Sequence, residues 1–220
     1  MADPYKLADR ILSRLNRAIL RRFSAVRALL IGNGFDELNV LTKMDSLYAG
    51  LRKDCYEAFA DLWLERYLEV WRQYAPKDKK LPDEDELDDL VEMHLAGLLE
   101  KPHPVTKYTY DSEIPRKKDR AKESVIAPTN MPARRFELDK AMRHWTQMTR
   151  WYVDFTSQDA EVEAFVDMGA EAVQRHEMDD TRTCAECRDA DGDIYPVDKI
   201  PPLPHPGCRR WFTPVWDPKI

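Results

Sequence analysis

Apolar residues recur every three or four positions through most of the first 170 residues, which is the spacing of amphipathic α-helices. Asp3 and Pro4 precede the first such stripe as an N-cap and a proline at the first helical position. Gly32-Asn33-Gly34 follows it as a helix break. The stripe of this predicted first helix consists of Leu7, Ile11, Leu15, Ile19, Phe23, Val26 and Leu30.

A second stripe predicts a longer helix that begins between residues 42 and 45 and ends at about Tyr74, before Ala75-Pro76. The third predicted helix lies in LPDEDELDDLVEMHLAGLLE, where a first turn rich in carboxylates favours the positive end of the helix dipole. His94 lies near the apolar face of this helix, and we interpret it as a residue at the edge of the core.

The region that follows is more basic. Residues 105–110 alternate as in a strand, and a basic helix is predicted from Arg116 to about Ser124. Its cations are either a solvated helix surface or a weak contact for an acidic partner or nucleic acid. They are Arg116, Lys117, Lys118, Arg120 and Lys122.

Two further helices are expected before residue 170. The first carries apolar residues from Phe136 to Phe155, and the second starts at the capping pattern Thr156-Ser157-Gln158-Asp159. A strand from Ala172 to Met178 then leads into a segment rich in cysteine and proline.

Composition narrows the function classes. The net charge of −6 argues against nonspecific nucleic-acid binding as the main activity. The chain has only 7 glycines and lacks both a dinucleotide-binding and a P-loop motif. We find no signal-peptide pattern and no run of about 18 apolar residues. We therefore expect a soluble protein without membrane contact, made in a reducing cytoplasm, where a CxxC pair is more often a metal or redox motif than a disulfide.

Three of the 4 cysteines lie close together near the carboxyl end. Cys184 and Cys187 have two residues between them, as do His205 and Cys208, and this spacing suits a tetrahedral zinc ion. Three thiolates and one imidazole would close the coordination shell, so we interpret the site as structural Zn²⁺. Such binding supplies on the order of 10 kcal/mol to the folding of a small module.

Other interpretations of this segment stay open. Cys184 and Cys187 could act as a redox pair, which would require a βαβ setting and a helix starting at the motif, or a disulfide to Cys208 could form. His176 is a substitute ligand for His205. Four aspartates resemble a calcium loop but lack its closing glutamate; they are Asp189, Asp191, Asp193 and Asp198. The fourth cysteine, Cys55, falls on an apolar helix stripe and is expected to be buried and inert.

The predicted turn Asp191-Gly192 and a brief strand through Ile194, Tyr195 and Val197 complete the segment. The fold class is therefore mainly α with a small C-terminal α+β zinc-stabilised module. We place a helical region at residues 1–170 and the module at residues 171–220.

The same residues carry a resemblance to a family. Asp180-Thr181-Arg182-Thr183-Cys184-Ala185-Glu186-Cys187, Asp191-Gly192, Tyr195-Pro196, Pro201-Pro202 and His205-Pro206-Gly207-Cys208-Arg209 resemble the pattern DxRTCxxCxxxDGxxY…PPxPHPxCR of the phage head morphogenesis domain of Mu F-like minor head proteins. Pro104-Val105-Thr106-Lys107-Tyr108, with Glu113 and Arg116-Lys117-Lys118, is similar to a segment of some members. Arg210 departs from members that carry a cysteine or a small polar residue there.

The resemblance implies a structural minor head protein of a tailed bacteriophage. Such a protein is expected at the portal vertex, in contact with the portal or the major capsid protein, within a multi-copy head assembly. It would be assembled in the host bacterial cytoplasm and reside in the virion head. The alternatives are a DNA-binding head protein that accompanies the genome, or a metal- or thiol-dependent enzyme. No catalytic residue is assigned.

Overall fold

The architecture comes from a computed structural model that describes residues 5–31, 34–102, 109–178, 181, 183–205 and 207–217. The chain is 71% helical and ends in a small three-stranded antiparallel sheet, which confirms the predicted fold class. In chain order the elements are α1 (Lys6–Leu29), α2 (Glu37–Tyr74), α3 (Glu84–Glu100), α4 (Tyr110–Ile126), α5 (Met131–Met168), β1 (Ala172–Glu177), α6 (Ala185–Asp189), β2 (Ile194–Pro196), a 3-10 turn (Val197–Lys199) and β3 (Arg210–Val215).

Helix α1 follows the predicted stripe, and six of its seven positions are buried, from Ile11 to Leu30. The proposed start at Asp3-Pro4 lies outside the described residues, as does most of the Gly32-Asn33-Gly34 break. Helix α2 begins earlier than predicted, at Glu37. The Asp36 carboxylate accepts a hydrogen bond from the Asn39 amide at 3.1 Å and so caps the helix before its apolar stripe starts.

The prediction of two helices over residues 136–170 is wrong, because α5 is one continuous helix. The hydroxyl of buried Thr156 donates to the Tyr152 carbonyl at 2.7 Å, four residues back in the same helix, instead of capping a new one.

The predicted strand at residues 105–110 lies mostly outside the described residues, but its last residue, Tyr110, is the first residue of α4. The Thr109 hydroxyl accepts the Ser112 amide and forms a capping box with it, so the helix starts before the predicted Arg116.

Contacts divide the chain into two compact units. The sheet unit comprises Met1–Asp9, Phe59–Leu98 and Trp151–Ile220, and the helical unit comprises Arg10–Ala58 and Leu99–Arg150. The division of roles between residues 1–170 and 171–220 stays a prediction. No described helix is both long enough and apolar enough to cross a membrane.

Each unit has an aromatic core. In the sheet unit, Trp63 and Tyr67 stack with ring centroids 5.2 Å apart, in a cluster that includes Phe165 and Phe212. In the helical unit, the Tyr48 and Trp145 rings meet edge to face at 5.4 Å. Cys55 is fully buried in this second unit, as expected. Burial raises the pKa of its thiol to about 11, so the thiolate form is disfavoured.

The C-terminal sheet has the strand order β2-β1-β3, and both pairs are antiparallel. The β1 strand ends one residue before the predicted boundary. The predicted brief strand is confirmed at Ile194 and Tyr195 but ends at Pro196, because Val197 begins the 3-10 turn. Gly192 occupies the turn with φ of 89°, a conformation that favours glycine. The two outer strands each contain a proline, Pro196 and Pro214.

Candidate metal centre

The segment between β1 and β3 brings three cysteines and one histidine into one place in the sheet unit. Cys184 is the N-cap residue of α6, and Cys187 lies in the only full turn of that short helix. His205 and Cys208 come from the loop before β3, where the Cys208 amide donates to the His205 carbonyl at 3.3 Å. The first pair brings its two side chains together as the two-residue spacing predicted, since Cys184 and Cys187 belong to one group of donors, whereas His205 and Cys208 share a backbone turn but belong to different groups.

The separations of the donor atoms suit a zinc ion. The His205 Nε2 atom lies 3.3 Å from the Cys184 sulfur and 3.5 Å from the Cys187 sulfur. The Cys187 and Cys208 sulfurs are 3.7 Å apart. A tetrahedral site with Zn–S bonds of about 2.3 Å and Zn–N bonds of about 2.0 Å places its donors roughly 3.5 to 3.8 Å apart. Cys184, Cys187 and His205 therefore form a Cys/His group that could hold a metal ion, while Cys208 lies beside Cys187 but outside this group.

A fifth donor was not predicted. The donor atoms fall into two overlapping triads, each with all members within 4.8 Å of one another. One triad is Cys184, Cys187 and His205, and the other is Glu177, Cys187 and Cys208. Glu177 ends β1, and its side chain lies on the same strand face as that of Arg175, whose Nε donates to it at 2.7 Å. Its sequence neighbourhood gave no signal of this position.

The three thiols differ in their protonation. Hydrogen bonds from the Cys187 backbone and from His205 lower the pKa of Cys184. Burial and the neighbouring thiols raise the pKa of Cys187, and burial with the Glu177 carboxylate raises that of Cys208. Without a cation among them, several thiolates so close together are disfavoured. A divalent cation would reverse that preference and release protons on binding.

The loop around the cluster has little apolar support of its own. Among the described residues, Leu203 is the one non-cysteine side chain buried in a cluster with Cys187 and Cys208, and Phe155 of α5 packs against them. Polar contacts add to this, since the Gly207 amide donates to the Asp154 carboxylate of α5 at 2.9 Å. A core this small gives the loop little stability, so a metal ion would contribute a large share.

Arg210, the departure from the family pattern, has a structural place. Its guanidinium donates to the Gln158 side chain of α5 at 3.0 Å and to the carbonyls of Pro201 and Pro202. It therefore ties the proline-rich return to α5 and takes no donor from the metal cluster.

The other candidate ligands lie elsewhere. His176 stacks on Trp211 with ring centroids 4.3 Å apart, hydrogen-bonds Thr213 and belongs to neither triad. Asp191 accepts the Glu177 amide at 2.8 Å, and Asp193 accepts the Tyr195 hydroxyl. These aspartates support the turn and form no calcium loop with one another in the described segment.

One of the two requirements of a redox pair is met, because a helix does start at the CxxC motif. Helix α6 is only five residues long, and the β1–β2 connection that contains it joins antiparallel strands. The described residues therefore lack the βαβ setting of thioredoxin-like proteins around Cys184 and Cys187. All described cysteines are free thiols.

The predicted basic cluster of α4 lies in the helical unit and is largely paired within the chain. Lys118 and Lys122 reach Asp45 at 3.4 and 2.8 Å, while Arg116 and Lys117 lie 4.0 and 3.7 Å from buried Glu113. Arg120 lines a cavity whose other lining residues include side chains of α5. Contact of these five side chains with a partner stays a prediction.

A second titratable cluster joins α3 to α5 in the sheet unit. His94 Nδ1 lies 2.9 Å from Asp159 and its Nε2 lies 3.5 Å from Glu163. The ring stacks on Trp63 with centroids 5.0 Å apart. Burial alone would lower the pKa of His94, but the two carboxylates outweigh burial and raise it to about 9. His94 is therefore the cation of an ion pair, a role that its apolar flanks did not reveal.

A scan of protein families, a search of curated proteins and a search of solved structures found no match to this chain.

Proposed function

We propose that Cys184, Cys187, His205 and Cys208 bind a structural zinc ion. The observation that carries this proposal is three sulfur and nitrogen separations of 3.3 to 3.7 Å within a poorly packed loop: His205 to Cys184, His205 to Cys187, and Cys187 to Cys208. Cys208 lies outside the triad of the other three donors and would move towards it to complete the coordination shell. Sulfur and imidazole donors favour zinc over calcium or magnesium, which prefer oxygen. The ion would supply folding free energy, and four protein donors would leave no position for a reactive water.

The neighbouring charges support this assignment. Three thiolates bring three negative charges to Zn²⁺, which leaves an excess of one. Arg175 lies within the electrostatic influence of Cys208, and Arg210 does as well. These guanidinium groups would offset the excess charge. Glu177, held by Arg175, would then orient the surroundings of the site without taking a ligand position.

Metal analysis of the purified full-length chain tests the zinc site. We expect one zinc per chain in the wild type and a large loss of zinc in Cys187→Ser, since Cys187 belongs to both triads. Cys55→Ser is the matched control, because Cys55 lies in the helical unit and belongs to neither triad. Metal-free wild-type protein with an intact C-terminal sheet, or equal zinc in both variants, would overturn the assignment.

We infer that the protein acts as a minor head protein of a tailed bacteriophage. The support is the pattern around the metal cluster: the residues that resemble the head morphogenesis family include the four donors themselves and Arg209, which packs over the Tyr5 ring. The expected partners are the portal and the major capsid protein, and the expected location is the virion head. In this role the zinc module stabilises the protein, and catalysis is assigned to none of its residues.

Mass spectrometry of purified virions and procapsids, followed by reconstruction of the portal vertex, tests this role. We expect the chain in either particle and density for it beside the portal. Its absence from both particles would refute the role while leaving the zinc site intact. Thiol-exchange activity that depends on Cys184 would instead support an enzyme, and salt-sensitive DNA affinity would support a genome-associated protein.

A further inference from the structure

A basic cavity of about 390 Å³ opens between α4 and α5 in the helical unit. Two cations from each helix line it: Lys117 and Arg120 from α4, and Lys140 and Arg143 from α5. The volume lies in the range of roughly 300 to 1,000 Å³ that small-molecule sites occupy. A concentration of positive charge of this kind is unexpected in a chain whose net charge is −6.

The positive charge of the cavity is only partly neutralised. The one carboxylate in its lining belongs to Glu137, which lies 3.6 Å from the Lys140 ammonium. Within the described part of the chain, no carboxylate lies within 4 Å of the Arg120 or Arg143 guanidinium groups. Two guanidinium groups therefore face the same space without a counter-ion among the described residues.

The back of the cavity is held by a buried acid. Glu113 is fully buried, and its Oε1 lies 3.7 Å from the Lys117 ammonium and 3.3 Å from His144 Nε2. Glu113 thus fixes two of the lining side chains from behind. Burial nevertheless lowers the pKa of Lys117, and the like charges of Arg116 and Arg120 lower it further. An anion in the cavity would offset the repulsion among these cations.

We propose that this cavity binds a phosphate-bearing ligand. Arg120 and Arg143 donate hydrogen bonds to the phosphate oxygens, and Lys117 and Lys140 neutralise the remaining negative charge of the ligand. Guanidinium groups suit phosphate because their planar donors form paired hydrogen bonds with two of its oxygens. The ligand is either a free nucleotide or pyrophosphate, or the backbone of a nucleic acid. This site is separate from the zinc centre, and neither proposal depends on the other.

The test is binding of defined phosphate compounds to the full-length protein by calorimetry at low salt. The probes are inorganic pyrophosphate, adenosine triphosphate, adenosine without phosphate and a short single-stranded oligonucleotide. We expect pyrophosphate and the nucleotide to bind and adenosine not to bind. The double variant Arg120→Gln/Arg143→Gln should weaken that affinity at least tenfold.

The control variant is Arg17→Gln/Lys43→Gln, which removes two exposed cations of the same unit outside the cavity. It should bind like the wild type, and this separates a specific site from loss of net positive charge. Oligonucleotide binding that is lost in the cavity variant and excludes pyrophosphate would identify a nucleic-acid backbone as the source of the phosphates. Binding of the free compounds alone would identify a small ligand. No binding of any phosphate probe by the wild type, or equal weakening by the control variant, would overturn the proposal.

Discussion

The ion pair of His94 with Asp159 and Glu163 predicts a stability that depends on pH. An unperturbed histidine has a pKa of about 6.5, and the carboxylates raise that of His94 to about 9. The folded state therefore binds the proton more tightly than the unfolded chain. The resulting stabilisation is complete below about pH 6.5 and is lost as the pH rises through about 9.

The size of this stabilisation follows from the two pKa values. Their difference corresponds to an upper limit of about 3 kcal/mol. The His94 side chain is 18% exposed and its partner carboxylates are 14% and 22% exposed, so water screens part of the interaction. We therefore expect about 1 to 2 kcal/mol from the charge of His94.

Urea unfolding of the wild type and of His94→Gln, at pH 6 and pH 10, measures this term. The variant should be less stable by about 1 to 2 kcal/mol at pH 6, and the deficit should shrink at pH 10. His176→Gln is the control, because burial lowers the pKa of this histidine of the same unit. The loss of unfolding free energy in His176→Gln should not be larger at pH 6 than at pH 10. An equal deficit of His94→Gln at both pH values would refute the reasoning.

Three further outcomes are expected. Cys187→Ser should lose protection of the β2–β3 region in hydrogen exchange, whereas Cys55→Ser should keep it. Arg66→Met leaves the Glu161 carboxylate, 2.6 Å from the guanidinium and 3% exposed, without its buried partner, and should cost about 3 to 5 kcal/mol in urea unfolding; the double variant with Glu161→Leu should cost less. Asp45→Asn removes an exposed pair with lysines and should change stability by less than about 1 kcal/mol in the same assay.

Helix positions were predictable where one face is buried throughout. The stripe from Ile11 to Leu30 identified α1 because a buried helix face repeats with the helical period. The start of α2 was missed because the capping carboxylate of Asp36 lies ahead of the apolar stripe. At Thr156 the sequence predicted a helix start that does not exist. A threonine hydroxyl can cap a new helix or bond its own helix, and only the burial of this side chain within α5 decides between them.

In the metal centre, contacts between residues close in sequence were predictable, and a contact from a distant strand was not. Two-residue spacing sufficed to place Cys184 beside Cys187, because the pair shares a turn, but not to show that His205 and Cys208 belong to different groups of donors. Glu177 could not be found in this way. It reaches the cluster from β1, and nothing in its sequence neighbourhood marks a carboxylate that faces a distant thiol.

The prolines of the sheet have a consequence for assembly. Pro196 and Pro214 lie in the two outer strands, while the central strand β1 contains none. A proline offers no amide hydrogen to a strand from another molecule, so both borders are poor templates for intermolecular strand addition and fibre growth. Copies of this chain that come close together are therefore not expected to join through the borders of this sheet.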